Sequence, residues 1–310
     1  MAPAASPQVS IVLPTHNRAD VLGLAIQSAL AQTWQDFELL VVGDGCTDHT
    51  AEVVRGFDDE RITWLDLPKA PGVGYANRNV ALRQARGEWI AYLAHDDLWF
   101  PDHLERLAGL LAETGAEFAY SRQLDISTQG DITPRVFNLH DPLTWDLWRS
   151  KFVGYITIGN VVHRADCLKR YGYWNEHIAR SGDWELWMRI IDGGRRQNFA
   201  YWPIPTGLHF VADWRRDSET RRQRLLRRMR AWARSTLPGL KINIPPGVAE
   251  QEVVWRAMRQ SPADWVAGIR CAVQVDLDRR SNSMLTPAQL LEAAYLTYHI
   301  ARTPSRVWSK

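Results

Sequence analysis

Cysteine is scarce in this sequence, which has three in 310 residues: Cys46, Cys167 and Cys271. No two of them form a CxxC pair, and any disulfide scheme within the chain leaves one thiol over. The pattern argues against a disulfide scaffold and gives no indication of a cysteine-bound structural metal. It is typical of a protein in a reducing compartment, and we expect a cytoplasmic location.

Long apolar runs are also missing. No window approaches the ~18 uninterrupted apolar residues of a membrane-spanning helix, so the sequence predicts no span. The opening residues, MAPAASP, include small residues and prolines but lack the basic stretch and apolar core of a signal peptide. We interpret residues 1–7 as a disordered leader.

Neither sign of charge dominates the chain. Lys and Arg number 37 against 35 Asp and Glu, a formal charge of +2, which is too balanced to favour nucleic acid as a partner. The exception is residues 215–234, where arginines lie beside Leu225, Leu226, Met229 and Trp232. Such a segment is typical of a peripheral contact with the inner face of a membrane or with an acceptor. It is equally typical of a helix that packs its apolar side and leaves its arginines in water.

The first hundred residues alternate short β-branched runs with stretches whose apolar residues recur at helical spacing. Predicted strands cover 9–14, 37–42, 61–67 and 88–94, and predicted helices cover 19–32, 50–57 and 74–85. This order indicates βαβ units, and hence an α/β fold whose sheet is mostly parallel and flanked by helices.

The pattern changes near residues 100 and 215. Residues 101–214 mix predicted strands with helices, one of them in RSGDWELWMRIIDGG, whereas residues 215–310 predict helices. We therefore expect one domain over 8–214, with halves at 8–100 and 101–214, and a helical C-terminal extension over 215–310.

Polar clusters follow three of the predicted strands: PTHN, GDGCTD and HDD. The carboxyl ends of parallel strands meet at one edge of a sheet, where ligands bind. Asp96 and Asp97 suit a divalent cation that bridges a diphosphate, because Mg²⁺ and Mn²⁺ prefer oxygen ligands and the cation relieves the repulsion between the carboxylates. A helix cap is the alternative, since a predicted helix follows, but a cap accounts for one aspartate at most.

The other polar residues at these ends each have two interpretations. Asp44 can accept a hydrogen bond from a nucleotide base while the next glycine allows close backbone approach. Thr15 and Asn17 either line the same edge or serve only as turn residues. Arg78 either reaches a base or phosphate from the third helix or is a solvated helix charge.

Residues 8 to about 210 closely resemble the inverting glycosyltransferases of family 2, which have the GT-A fold. The segments VSIVLPTHNRADVL, GDGCTD, GVGYANRNVAL and HDDLWFPDHL stand in the order and at the distances of that family. The resemblance implies a GT-A, Rossmann-like domain whose nucleotide-binding half is 8–100 and whose acceptor half is 101–214. It implies a nucleotide-diphosphate-sugar donor and a glycan or glycolipid acceptor.

The resemblance also assigns roles at the donor site. The residue matching Asp44 recognises the base, those matching Pro14, Thr15 and Asn17 line the base and ribose pocket, and the one matching Arg78 reaches toward the nucleotide. By the same match Asp96 faces the ribose and Asp97 binds Mn²⁺ or Mg²⁺.

In the acceptor half, SGDWELWMRI resembles the family segment that carries the catalytic base. By that match Asp183 is the general base, which removes a proton from the acceptor hydroxyl, and Glu185 is the alternative. His209 lies where many relatives place a residue that closes over the diphosphate and sometimes binds the metal; otherwise it is structural. Arg215 and Arg216 are either phosphate clamps or solvated charges.

Three positions depart from the family pattern. Gly43 and Gly182 stand where the family has the first acid of an acidic pair, and His95 stands at the first position of the metal triplet. The departure at Gly43 leaves the identity of the base open, and the one at His95 makes Asp97 the surer metal ligand.

The sequence thus predicts a metal-dependent, inverting transfer of a sugar to a hydroxyl group. A sugar nucleotidyltransferase is one alternative, but no Gly-rich phosphate loop follows the first strand. A catalytically silent nucleotide-binding scaffold is another, opposed by the presence of Asp96, Asp97 and Asp183 together.

Overall fold

A computed structural model of the chain describes residues 6–135, 137–150, 156–193, 198–211 and 240–282. The arginine-rich segment 215–234, with Arg215 and Arg216, and residues 283–310 of the predicted helical extension lie outside the described residues.

The first part of the chain forms the parallel βαβ units that the sequence predicts. Its elements are β1 (Val9–Thr15), α1 (Leu22–Leu30), β2 (Phe37–Asp44), α2 (Thr50–Arg55), β3 (Ile62–Leu67), α3 (Tyr75–Gln84) and β4 (Trp89–Tyr92). Strand β1 pairs in parallel with β2 and β4, and β2 pairs in parallel with β3. Strands β1, β2 and β4 are apolar almost throughout because helices cover both faces of this part of the sheet.

The second part extends the same sheet with a change of direction. Its elements are β5 (Leu98–Trp99), α4 (His103–Thr114), β6 (Phe118–Ile126), β7 (Asp131–Pro134), α5 (Pro142–Arg149), a 3₁₀ turn (Ile158–Asn160), β8 (Val161–Arg164), α6 (Cys167–Tyr171), α7 (Gly182–Gly193) and β9 (Phe199–Phe210). Strand β8 lies antiparallel between β4 and β6, and β9 runs parallel to β6 and antiparallel to β5. The sheet is therefore mixed, and the predicted α/β class is confirmed.

The described part of the C-terminal segment adds to this body. Strand β10 (Leu240–Lys241) pairs with β7, and it is followed by α8 (Glu250–Gln260) and α9 (Pro262–Asn282). Apolar side chains of these helices are buried against β5, β6 and β9, among them Val254, Met258, Val266 and Val273. Residues 240–282 thus share an apolar core with the sheet.

Two further apolar clusters cover the two faces of the sheet. One lies under α1 and α4, and the other lies under α3, α5, α6 and α7. In the second cluster Trp187 of α7 is fully buried, with its ring centre 5.2 Å from that of Phe118 and 5.7 Å from that of Tyr92. This aromatic packing fixes α7, which carries Asp183, on the sheet.

Among the residues that the structure describes, no helix combines the length and the apolar character needed to cross a membrane.

Two valines of α9 test whether the C-terminal helices belong to the cooperative core. Val273 is 2% exposed and Val275 is 43% exposed. Val273→Ala should lower the free energy of unfolding by about 2 kcal/mol, from the loss of two buried methyl groups and the cavity left behind. Val275→Ala, the matched control, should change it by less than about 0.5 kcal/mol. Urea unfolding of the full chain measures both, and equal values would show that α9 is not part of the core.

Candidate active site

The first group of predicted site residues lies at the carboxyl end of β1. Asn17 has a left-handed backbone with φ of 51°, which Asn tolerates because its short amide bonds locally. Its carbonyl oxygen accepts from the N–H of Thr47 at 2.7 Å, and its amide donates to the Thr47 hydroxyl at 3.1 Å. Pro14 and Thr15 end the strand, and the buried Thr15 Oγ1 meets no hydrogen-bond partner in the described part of the chain. That oxygen is therefore available to a ligand.

Asp44 ends β2 and is buried. One carboxylate oxygen accepts from the N–H of Ala70 and from the amide of Asn77, both at 2.7 Å, and the other accepts from Lys69. A carboxylate has about four acceptor positions, so about one position of Asp44 is left for a nucleotide base.

Gly43 stands where the resemblance leads one to expect an acid, and the structure gives a physical reason for the glycine. A Cβ atom on Gly43 would lie 2.7 Å from Cζ2 of Trp64 on the neighbouring strand β3. That distance is well inside van der Waals contact, so any side chain here would have to displace the indole ring. Trp64 thus occupies the volume that an acidic side chain would need.

Arg78 of α3 is held against two aromatic rings. Its guanidinium carbon lies 5.1 Å from the ring centre of Tyr75 and 5.2 Å from that of Trp174. Burial lowers the pKa of Arg78, and the nearby carboxylates of Asp183 and Asp44 act in the opposite direction. The group stays charged at neutral pH. Its Nε has no hydrogen-bond partner among the described residues, so it can still donate to a phosphate or a base.

Asp96 and Asp97 lie between β4 and β5, and both are buried. Helix α4 begins only at His103, so neither aspartate caps it. The backbone carbonyl of Asp96 accepts from the amide of Gln251 on α8 at 3.4 Å. A helix of the C-terminal segment therefore borders this pair.

His209 of β9 faces Asp97. Its Nδ1 lies 3.1 Å from both carboxylate oxygens, one of which also accepts from the N–H of Phe210 at 3.0 Å. Burial by itself lowers the pKa of His209, but the carboxylates of Asp97, Asp125 and Asp96 raise it to about 9. In this pair the ring therefore carries a proton at neutral pH, and a cation that bound the imidazole would have to displace a proton from it.

Asp97 and His209 fit part of a divalent-cation site. Carboxylate oxygen suits both Mg²⁺ and Mn²⁺, whereas imidazole nitrogen is a better ligand for transition metals than for Mg²⁺. Within the described ranges, no group of three or more His, Cys, Asp and Glu side chains could hold a metal. Two protein ligands are the pattern of sites that take their other ligands from substrate phosphates and water. The residues present therefore fit a cation that binds together with a diphosphate.

Asp183 is the second residue of α7, and one of its oxygens accepts from the N–H of Trp184 at 2.8 Å. Burial raises the pKa of Asp183; the Trp184 N–H and the charges of Arg78 and His209 oppose this without cancelling it. A carboxylate whose pKa lies above the ordinary value is a stronger base when ionised.

Glu185, the alternative base, is engaged in a different contact. Its oxygens accept from Arg189 at 2.8 and 2.9 Å across one turn of α7. Arg189 also donates to the carbonyls of Tyr171 and Tyr173. The pair anchors α7 to the segment after α6, and this geometry favours Asp183 as the carboxylate that faces the site.

Several of the predicted residues lie close enough together for the charge of one to shift the pKa of another. Arg78 interacts with Asp44 and Asp183, Asp183 interacts with His209, and His209 interacts with Asp97. Because β1, β2 and β4 are parallel neighbours, their carboxyl ends place the remaining predicted residues on the same edge: Pro14, Thr15, Asn17 and Asp96.

Several residues that shape this site are not among those predicted from the sequence. Lys69 and Asn77 hold Asp44, and Tyr75 and Trp174 hold Arg78. Tyr75 stands three residues before Arg78 on the predicted third helix, a spacing that places both on one helix face, so it was detectable. Trp174 lies 96 residues from Arg78, and no local pattern connects the two.

Residues 10–169 match the family described as Glycosyl transferase family 2. A similar curated protein is the UDP-Glc:alpha-D-GlcNAc-diphosphoundecaprenol beta-1,3-glucosyltransferase WfgD of Escherichia coli. It is 38% identical over 184 residues, which cover 59% of this chain and 69% of WfgD.

Two solved structures share the fold at low sequence identity. TarS 1-349 of S. aureus in complex with UDP-GlcNAc has a TM-score of 0.55 and 18% identity, and the match covers 80% of this chain and 69% of TarS 1-349. Mannosyltransferase PcManGT from Pyrobaculum calidifontis, in complex with GDP-Man and Mn2+, has a TM-score of 0.51 and 19% identity, with coverage of 99% and 84%. The mixed α/β architecture of this chain is the GT-A fold.

Proposed function

This chain belongs to glycosyl transferase family 2, and on that premise we propose that it transfers a sugar, with inversion, from a nucleotide-diphosphate-sugar donor to a hydroxyl of a glycan or glycolipid acceptor. The observations that support this most directly are the contact between His209 and Asp97 at 3.1 Å and the buried carboxylate of Asp183, whose raised pKa the charges of Arg78 and His209 oppose.

Asp183 is the general base in this proposal. Its carboxylate removes the proton of the acceptor hydroxyl as that oxygen bonds to the anomeric carbon of the donor sugar. The bond from the anomeric carbon to the diphosphate breaks on the opposite face, and the diphosphate leaves with the electron pair. Attack opposite the leaving group inverts the anomeric configuration, and no covalent sugar–enzyme intermediate is required.

The donor is bound by residues of the nucleotide-binding half. Asp44 keeps an acceptor position for a base N–H, and Asn17, Pro14 and Thr15 line the base and ribose pocket. Asp96 accepts from a ribose hydroxyl, and the guanidinium of Arg78 donates to phosphate or base.

Asp97 and His209 would hold Mn²⁺ or Mg²⁺, and such a cation would neutralise charge on the departing diphosphate. The mixed oxygen and nitrogen donor set favours Mn²⁺ of the two.

The names of similar proteins suggest which substrates to test first. WfgD is a UDP-glucose-dependent enzyme that acts on a GlcNAc-diphosphoundecaprenol, and TarS binds UDP-GlcNAc. We propose by analogy a UDP-sugar donor and a lipid-linked glycan acceptor. A peripheral membrane contact through residues 215–234 would suit such an acceptor and stays a prediction from the sequence.

A thermal-shift screen tests donor binding. UDP, GDP and dTDP are each added with Mn²⁺, with Mg²⁺ or with EDTA. We expect one nucleotide to raise Tm clearly more with a cation than with EDTA, since a ligand at 100 times its Kd stabilises the folded state by about 2.7 kcal/mol. Absence of a cation-dependent shift with all three would contradict the proposal. A shift without donor hydrolysis or transfer would instead favour the silent nucleotide-binding scaffold.

A further inference from the structure

The segment that leads into the candidate base is fixed at two points by helix α3. At the first point, the buried side chain of Asn79 donates to the carbonyl of Trp174 at 2.9 Å and accepts from its N–H at 3.0 Å. At the second point, the hydroxyl of Tyr75 accepts from the N–H of Gly182 at 2.8 Å. Asp183 is the next residue along the chain, so the second contact is one residue from its carboxylate.

The ring of Tyr75 is itself held firmly. It stacks on Trp174 with ring centres 5.3 Å apart and an interplanar angle of 16°, and the guanidinium of Arg78 lies over both rings. Tyr75 is 6% exposed and Trp174 is 3% exposed. A side chain packed in this way has little rotational freedom, so its hydroxyl is a fixed point for the backbone of Gly182.

Gly182 and Tyr75 are sterically matched. A Cβ atom on Gly182 would lie 2.7 Å from Cε1 of the Tyr75 ring, so the ring occupies the volume that any larger residue would need. Gly182 stands where the resemblance leads one to expect the first acid of a pair. In this chain, a tyrosine from another helix fills the space beside this position.

The backbone just before Gly182 adopts a conformation that requires such support. Ser181 has φ of 60°, in the left-handed region that residues other than glycine rarely adopt because it is strained. A strained turn persists only where surrounding contacts hold it, and the hydrogen bond from Gly182 to Tyr75 is such a contact.

We propose that Tyr75 is a positioning residue for the reaction: its hydroxyl holds the Ser181–Gly182 turn and thereby aims the carboxylate of Asp183 at the acceptor hydroxyl. This inference rests on the proposed function, in which Asp183 is the general base. Because Arg78, on the same helix and against the same ring, faces the donor, α3 fixes the base relative to the donor site.

Tyr75→Phe tests the inference, because it keeps the ring, the stacking and the contact with Arg78 and removes only the hydrogen-bond acceptor. We expect kcat to fall about tenfold while the KM of the donor stays within about twofold. Tyr171→Phe is the matched control. It removes a hydroxyl that donates to Glu117 at 2.9 Å, near the other end of α7, and should leave kcat unchanged.

Two further measurements separate positioning from a general structural effect. In the Asp183→Asn background the base is absent, so Tyr75→Phe should have no additional effect on kcat. Amide hydrogen exchange of a peptide containing Gly182 should be faster in Tyr75→Phe than in the wild type or in Tyr171→Phe.

The outcomes distinguish this inference from the proposed function. An active wild type with an equally active Tyr75→Phe variant would overturn the inference alone. Three other results would also overturn it. Tyr75→Phe could lower kcat as much in the Asp183→Asn background as in the wild type, it could raise the donor KM by as much as it lowers kcat, or it could leave amide exchange at Gly182 unchanged. A wild-type chain that neither transfers nor hydrolyses any donor would overturn the proposed function and the inference together.

Discussion

Asp183→Asn should leave donor affinity nearly unchanged and lower turnover by about 10²–10⁴-fold, the usual contribution of a general base. The amide keeps the size of the carboxylate, and its oxygen can still accept from the N–H of Trp184. It cannot take a proton from an acceptor hydroxyl. Single-turnover rates with saturating donor, together with nucleotide affinity from calorimetry, separate the two effects.

Glu185→Gln is the matched control for this prediction. It weakens the pair with Arg189, so it should reduce stability modestly and leave most of the turnover. An active Asp183→Asn variant together with an inactive Glu185→Gln variant would assign the base to Glu185 instead.

The same assignment predicts the acid side of the pH profile. A base acts only when deprotonated, so kcat/KM should fall as pH decreases through the pKa of Asp183. Burial raises that pKa above the ordinary carboxyl value, so activity should be lost at milder acidity than an exposed aspartate would allow. This acid limb should be absent from the residual activity of Asp183→Asn.

Asp97→Asn should remove the cation-dependent part of nucleoside diphosphate binding. The amide oxygen can still accept from the N–H of Phe210, so the local backbone keeps its partner, but the negative charge and one ligand oxygen are lost. Loss of a residue that only hydrogen-bonds to a metal ligand typically lowers metal affinity by ~10–100-fold. Asp97 is a proposed ligand itself, so we expect the affinity for the nucleoside diphosphate in the presence of Mn²⁺ to fall by more than that.

Asp166→Asn is a suitable control for that loss of charge. Asp166 pairs with Arg164 and Arg170, and Arg164 lies opposite Trp89 at the start of β4, at the other end of that strand from Asp96 and Asp97. Nucleotide titrations with Mn²⁺ and with EDTA should be unchanged in this variant. Equal affinity of Asp97→Asn and the wild type with Mn²⁺ would contradict the metal assignment.

The parallel part of the fold and the acids at its edge were predictable from sequence because their signals are local. Strands β1 to β4 and the helices between them begin and end within a few residues of the predicted bounds.

The rest of the site depends on contacts between distant parts of the chain. Trp64 fills the space beside Gly43, and Tyr75 lies against Gly182. Lys69, Asn77 and the N–H of Ala70 together occupy about three of the four acceptor positions of Asp44. Each contact depends on which side chains of different elements meet in the folded chain. Neither the periodicity of the sequence nor its turn residues indicate which side chains will meet. The insertion of β8 between β4 and β6 is likewise a long-range choice of strand partner.

The position of β8 limits how the two halves of the sheet can move relative to each other. The strand is hydrogen-bonded on one side to β4, in the half proposed to bind the donor, and on the other to β6, in the half proposed to bind the acceptor. The ladder is continuous from β3 to β10, so in the part of the chain that the structure describes the two halves share one sheet and no hinge separates them. A continuous sheet does not allow the two halves to close on each other by rotation about a few residues between them. Admission of substrate and release of product therefore depend on segments outside the sheet, such as the loop that carries Lys69.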